Sequence, residues 1–538
     1  MLTFNSNHYP YPSRRSAVYG RRGMVATSQP LAAQAGLAVL QAGGNAIDAA
    51  IAAAAALTVV EPTANGIGGD AFALIWHQGQ LHGLNASGAA PAAISLDKLK
   101  AEGHTAMPLR GPVPITVPGT PGAWAAMTKR FGRLPLGEAM AGAIDLADHG
   151  FPVSPVVALG WKTAYTLFAN EFKGDHFKAW FDTFSIAGED RAPDPGEIWR
   201  APDHAATLRS IAGDHAESFY RGPLAEKIAA CVRGAGGYLD VGDLAAYQPE
   251  WVTPIGTNYR GYDVWEIPPN GHGLVALIAL NILKGYDFAE RDTALTLHRQ
   301  IEAIKLAYAD GLAHIADSGH MRVSVADLLS DAYADERRKL IGAQAIAPAP
   351  GQPPRGGTVY LSTADGDGNM VSFIQSNYMG FGSGVVVPGT GIGLHNRGNN
   401  FSFDAAHPNC LAPGKRPYHT IIPGFLTRDG QAVGPFGVMG GFMQPQGHVQ
   451  MVMNTVDFQL NPQAALDAPR WEWEEGKKVS IEHTMPEHLF RALLAQGHEL
   501  NWSPNQSGFG RGQIIWRDRH GVLCGGTEPR ADGVVAAW

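Results

Sequence analysis

The chain reads as a mixed α/β protein, on three observations. Helical periodicity dominates 123–342, a proline- and glycine-rich tether spans 343–357, and β-prone runs split by turn signals follow it. At 538 residues there is room for two or more domains, or for one large layered α/β body. Hydrophobic residues make up 45% and charged residues 17%, a balance that fits a folded enzyme and not a disordered chain.

Taken in order, the N-terminal stretch MLTFNSNHYPYPSRRSAVYGRRG lacks the apolar core that a secretory signal needs. Ser28 ahead of Pro30 predicts a helix start, and the run 31–42 closes at Gly43-Gly44. Asn45 is placed to cap a second helix over 46–60, too uniformly apolar for a surface and stopped by Glu61-Pro62. Its apolar part, 49–60, falls well short of the ~20 residues that span a bilayer. A glycine-rich turn, Gly66 to Gly69, leads into a strand over 71–76. A further helix is expected over 295–316.

The tether AQAIAPAPGQPPRGG holds four prolines and three glycines, which exclude a continuous helix or an inner strand. By composition it is an exposed connection between a helix-rich and a strand-rich part. Beyond it, TVYLSTA (358–364) and NMVSFIQSN (369–377) flank the turn signal Asp365-Gly366-Asp367-Gly368. A hairpin there sets Ala364 opposite Asn369 and Thr358 opposite about Gln375, with Thr358 and Ser376 as near neighbours. A bulge would shift that register by one or two places.

The net charge of −8, with a pI near 6.2, offers no basic field for nucleic acid. Cys231, Cys410 and Cys524 are odd in number and far apart, which suits a reducing, cytoplasmic compartment. Among the weaker signals, GTGIG (389–393) reads as a strand-connecting turn and Ser95 as a helix cap. No HExxH pair occurs, and Glu482-His483 with Glu487-His488 reads as solvated surface and not a metal site.

Amide hydrolysis needs a nucleophile, a base and donors for the developing oxyanion. An N-terminal threonine supplies the first two, because its free α-amine can deprotonate its own hydroxyl. Thr358 gains that amine only if the Gly357–Thr358 bond is broken, and a Pro/Gly tether, a glycine and then a strand-borne hydroxyl suit such a cleavage. No metal or cofactor is called for.

The chain resembles the γ-glutamyltransferase (glutathione hydrolase) family of N-terminal-nucleophile hydrolases along nearly its whole length. The resemblance rests on GMVATSQPLAAQAGLAVLQAGGNAIDAAIA, EPTANGIGGD, PITVPGTPGAW, GGTVYLSTADGDGN, KRPYHT, MGG and LNPQAALDAPRW, in the family's order. It implies a four-layer αββα fold and maturation into a large chain, 1–357, and a small chain, 358–538. These would pair as a heterodimer, or as a dimer of such heterodimers. Thr358 falls on the family nucleophile, Ser376 on a hydroxyl that bonds it, and Gly440-Gly441 on the oxyanion-hole glycines; by themselves the two glycines read as a plain turn.

The departures bear on substrate. The family's carboxylate-gripping arginine falls on Ser87 in LNASGAAPA, and its amino-binding aspartate on Asn400 in NRGNNFS. The paired serines after KRP become His419 and Thr420, an asparagine becomes Tyr378 and a glutamine becomes Arg397. The clamp on an α-amino, α-carboxyl group is largely gone, a large change because charge-assisted contacts are the strong ones. Arg397 either holds a substrate carboxylate or is a structural ion-pair partner. The favoured substrate is therefore a small acidic amide, as in the oxamate amidohydrolase branch of purine catabolism. The alternatives are a γ-glutamyl hydrolase or transpeptidase, and a catalytically silent scaffold.

Overall fold

The computed structural model describes residues 11, 15–348, 357–504 and 506–538. The part of the expected tether at 349–356 lies outside the described residues, as do residues 1–10 and 12–14 of the N-terminal stretch.

Uniformly apolar helices and alternating strands dictate the layering. The strands that build it are β1 (Val18–Gly20), β2 (Gly23–Thr27), β3 (Asp70–His77), β4 (Gln80–Ala86), β5 (Glu250–Val252), β6 (Ile255–Tyr259) and β7 (Tyr262–Glu266). They continue as β8 (Gly357–Asp365), β9 (Met370–Tyr378), β10 (Gly424–Arg428), β11 (Gln431–Met439), β12 (Arg511–Arg517), β13 (Leu523–Thr527) and β14 (Val534–Ala537). One sheet runs β14-β2-β8-β9-β3-β4-β5 and the other β1-β13-β12-β11-β10-β7-β6. Both are antiparallel throughout.

Three apolar cores separate four layers. Met24, Ala26, Phe72, Leu74, Tyr360 and Ile374 of the first sheet meet Phe425, Ile515 and Leu523 of the second. Their neighbours Val25, Ala71, Ala73, Val359, Leu361 and Phe373 face the opposite way, onto helices α1 (Pro30–Gln41), α2 (Ala46–Val60) and α3 (Leu136–His149). This is the two-residue alternation of a strand packed on both faces. The outer face of the second sheet is covered by α4 (Gly273–Leu283), α5 (Ala294–His314) and α6 (Met443–Val456). The order is αββα, as the resemblance implied.

Helix α2 shows why the sequence folds this way locally. All fifteen of its residues are buried, and Asn45 and Asp48 close a capping box at its start. Its N-terminus is tied to the β8–β9 hairpin: Ala46 N donates to Asp365 Oδ2 at 2.9 Å, and Thr363 Oγ1 donates to Ala46 O at 2.7 Å. Helix α1 begins at Pro30, but Ser28 does not cap it; the Ser28 hydroxyl donates to the buried Glu61 carboxylate instead.

Helices do dominate 123–342, and within that span β6 and β7 form a hairpin about Arg260-Gly261, both at positive φ, which the alternation in IGTNYRGYDVWE could have signalled. One further expectation changes. Glu482 is fully buried and pairs with Arg530, so only His483, Glu487 and His488 of that group are exposed. The GTGIG segment does connect two short strands, Val386–Val387 and Ile392–Gly393, and Ser95 does cap its helix by accepting from Lys98 N. No described helix is long and apolar enough to cross a membrane.

Asn45 also donates through Nδ2 to Phe131 O at 2.7 Å. Asn45→Ala loses both roles and is expected to cost about 1–2 kcal/mol, the range for N-cap removal. Urea denaturation measures it; an unchanged midpoint would mean that burial alone holds α2.

Candidate active site

Thr358 stands at the end of β8, where the strand begins to pair with β9. The register is one place away from the sequence expectation: Ala364 faces Met370, Val359 faces Gln375, and a bulge between Gly357 and Val359 leaves Gly357 opposite Tyr378. Asp365 causes the shift by closing a longer turn, its carboxylate accepting from Asn369 N at 2.9 Å and Asn369 Nδ2 at 2.8 Å. Because Gly357 and Thr358 lie in one continuous strand, this is the geometry of the uncleaved chain.

The neighbours anticipated for Thr358 are there. Its hydroxyl donates to Ser376 Oγ at 3.1 Å, and Ser376 Oγ also accepts from Tyr378 N at 2.7 Å. Thr358 is 1% exposed and lines none of three surface cavities of about 960, 480 and 540 Å³. A residue missed in the sequence, Gln444, reaches the same hydroxyl through Nε2 at 3.4 Å, while its Oε1 accepts from Ile422 N. It sits in the first turn of α6, just after Gly440-Gly441.

That glycine pair joins β11 to α6 at φ values of +139° and +61°, a path that disfavours any side chain. Their carbonyls accept from Met443 N and Gln444 N. Gln444, whose amide closes this turn, links it to the Thr358 hydroxyl.

Of the remaining predicted residues, His419 and Arg397 meet Asp70, an aspartate the sequence reading passed over, and Arg397 in turn meets Thr420 and Tyr378. Asp70 opens β3 and pairs in register with Ser376. Gly69 permits the approach, since a Cβ there would sit 2.6 Å from Ser376 O. Asp70 Oδ2 meets His419 Nε2 at 2.9 Å, His395 Nδ1 at 3.1 Å and Arg397 Nε at 3.3 Å, all fully buried. Burial pushes the Asp70 carboxyl up, but the two imidazoles outweigh that and hold it well below the ordinary range. Desolvation, then the Arg397 charge, pulls His419 down to about 3, so it is neutral at physiological pH.

Arg397 is thus an ion-pair partner, but an incompletely used one. Its Nη1 donates to Thr420 Oγ1 at 2.7 Å and its guanidinium lies 4.5 Å from the centre of the Tyr378 ring. Arg397 Nη2, Tyr378 Oη, Asn400 Nδ2 and Asp70 Oδ1 are buried without hydrogen-bond partners. Such groups are costly unless something arrives to satisfy them. Ser87 differs: its hydroxyl donates to Asn85 Oδ1 at 2.7 Å and accepts from Asn270 Nδ2 at 3.2 Å, and Asn270 O accepts from His419 N. It braces the wall and offers no charge.

Among the described residues, His298, Glu302 and His498 have ligand atoms within 4.8 Å of one another. A cation already sits there, for Lys305 Nζ lies 2.7 Å from Glu302 Oε1 and 3.4 Å from His498 Nδ1.

Four buried histidines are held neutral by desolvation: His419 and His498 at about 3, His204 at about 4, and His272 well below its ordinary value. The unfolded chain binds protons at these sites below pH ~6.5 and the folded chain does not, so stability is lost as pH falls from 6.5 toward 4. Asp70, shifted the other way, adds a further loss below pH ~4. Thermal midpoints measured from pH 7.5 to 4 should fall steadily; a flat profile would contradict this burial.

Known proteins match this arrangement across the chain. The Gamma-glutamyltranspeptidase family model aligns with residues 32–538. The glutathione hydrolase-like YwrD proenzyme of Bacillus subtilis is 37% identical over 96% of this chain and 99% of its own length. The oxamate amidohydrolase proenzyme of Klebsiella pneumoniae is 36% identical over 96% and 98%. The crystal structure of a cephalosporin acylase from Bacillus halodurans is 62% identical, covers 99% of both chains and superposes with a TM-score of 0.95. The chain belongs to the gamma-glutamyltranspeptidase family, and is an N-terminal-nucleophile hydrolase of C–N amide bonds made as a proenzyme.

Proposed function

We propose that Thr358 is the nucleophile, freed by cleavage after Gly357, and that the mature enzyme hydrolyses the amide of an acyl group bearing a carboxylate and no α-amino group. The Thr358 hydroxyl first attacks the Gly357 carbonyl, the amide becomes an ester, and water releases fragments 1–357 and 358–538 as a heterodimer. The freed amine then takes the hydroxyl proton during attack on substrate and passes it to the departing nitrogen, with Gly440 and Gly441 amides facing the oxyanion. Water resolves the acyl-enzyme. Ser376 holds the hydroxyl in both reactions.

The observation that carries the substrate reading is the trio of unpartnered donors, Arg397 Nη2, Tyr378 Oη and Asn400 Nδ2. They suit a carboxylate, and Ser87 and Asn400 supply no counter-charge for an ammonium. Oxamate is the smallest such substrate, and likeness to an oxamate amidohydrolase supports it. A longer carboxylate-ended acyl chain is the same chemistry, supported by the likeness to a cephalosporin acylase. A γ-glutamyl reading has one observation in its favour: Asp70 Oδ1 is an unpartnered acceptor that could meet an α-ammonium. A cytoplasmic setting fits the three free cysteines.

Thr358→Ala is expected to remain a single 57.1 kDa chain without activity, and Ser376→Ala to slow self-cleavage at least tenfold, both read on denaturing gels. Cleavage surviving in Thr358→Ala would remove the assignment; a wild-type protein that never cleaves would favour a scaffold. On mature enzyme, ammonia from oxamate and p-nitroaniline released from glutaryl- and γ-glutamyl-p-nitroanilide are compared. Arg397→Met should raise KM for the first two at least tenfold. Turnover of the γ-glutamyl compound alone would overturn the carboxylate-only reading.

A further inference from the structure

The loop that leaves β9 is built in an unusual way. Tyr378 and Phe381 both have positive φ, +74° and +56°, a region that side-chain-bearing residues rarely adopt. Gly382 and Gly384 follow at +65° and +79°. Four positive-φ residues within the seven positions 378–384 do not hold themselves, so the partners that hold them are informative.

On one side Phe381 is set among Trp161, Trp180 and Phe184, with ring centroids 4.7 to 5.7 Å away. On the other, the carbonyls of Met379, Gly380 and Gly382 all converge on Arg110 Nη1, the first two at 2.9 and 2.8 Å. Three carbonyl dipoles aimed at one point repel one another unless a positive charge sits between them. Arg110 supplies it, with its guanidinium laid 4.7 Å over the Phe168 ring. Burial lowers its pKa to about 10, which leaves it charged at neutral pH. Its neighbours complete the clasp: Asn396 bridges Met379 N and Leu109 O, and Gly111 N donates to Ser383 O.

This loop begins at the residue that touches everything of consequence. Tyr378 N donates to the Ser376 oxygen that receives the Thr358 hydroxyl, and the Tyr378 ring carries the Arg397 guanidinium. We infer that Arg110 is a positioning residue: by gathering the carbonyls of 379, 380 and 382 it fixes Tyr378, and through Tyr378 it orients both the Thr358–Ser376 hydroxyl pair and Arg397. This rests on the reading of Thr358 as nucleophile. Among the described residues Arg110 hydrogen-bonds to the carbonyls of this loop, so its influence on the scissile bond and on the residues proposed to bind substrate runs through the loop.

The test uses the full chain. Arg110→Met keeps the length and removes the charge; it should slow appearance of the fragment beginning TVYLSTAD at least tenfold. In whatever matures, it should raise KM through Arg397 as well as lower kcat through Thr358. Arg110→Lys, which restores a cation, should recover part of both. In a Ser376→Ala background, Arg110→Met should slow cleavage by less than threefold more, because the path to the hydroxyl is already cut. Wild-type cleavage and KM in Arg110→Met, or effects that multiply fully with Ser376→Ala, would overturn the inference. If Arg110→Met does not fold, Arg110→Lys in both backgrounds gives the same reading. Cleavage persisting in Thr358→Ala would instead sink the nucleophile assignment itself.

Discussion

The pairing of Gly357–Asp365 with Met370–Tyr378 is the contact on which the rest of the site depends. Its bulge at Gly357/Val359 sets Thr358 against Ser376, and the next strand sets Ser376 against Asp70. A strand register is unforgiving, since a slip of one residue turns every side chain to the opposite face. Here the register is fixed from both ends, by the Asp365 carboxylate at the turn and by the clasped loop after Tyr378. Helix α2 adds a third restraint, because Gln375 Nε2 donates to Ala54 O and Asn65 Oδ1 from within β9. Thr358 is thus placed by a strand ladder in the buried body of the molecule. Loop-borne chemistry would be far less well defined.

Beside that hydroxyl lies the Asp70–Arg397 ion pair with two imidazoles against it, in a place that water does not reach. Asp70, Arg397, His395 and His419 are all fully buried, and isolated ions there would carry a prohibitive desolvation cost. They persist because they share one carboxylate oxygen and because each ring or guanidinium has a second partner: Thr116 O for His395, Thr420 for Arg397. Satisfaction stops short of completion, and the leftover atoms are donors on one side and a single acceptor on the other. Where the family grips an amino acid with an arginine before the APA triplet, this chain has an uncharged Ser87 engaged with Asn85 and Asn270. Arg397, in the short helical turn Arg397–Asn400, is a buried positive charge carried by a different element. On the function proposed above, such a site would keep the capacity for amide hydrolysis while changing what the acyl group must present.

Much of this was legible beforehand because local rules and tertiary demands agree. The Asn45 cap, the limits of α2, the turn at Asp365–Gly368 and the proximity of Thr358 to Ser376 all follow from residue type and spacing. Errors arose where a distant contact outbid a local preference: Ser28 turned from capping a helix to the Glu61 carboxylate, and Glu482 went inward to meet Arg530. Gln444 and Asp70 carry no local signature. One is an ordinary helix residue and the other follows a glycine turn. Their importance comes only from strands and helices brought together across 86 and 349 positions, to Thr358 and to His419.

The sequence by itself determined a mixed α/β class, written in apolar period and turn chemistry, and its ordered motifs determined the family and, with it, the αββα layering. The tertiary structure alone decided that Arg397 is tied to Asp70 yet not exhausted by it, and that Arg110 governs a strained loop. It also decided which buried donors are left without partners. Those outcomes depend on dielectric and on three-dimensional convergence of charges from separate elements, and neither quantity exists in a linear chain.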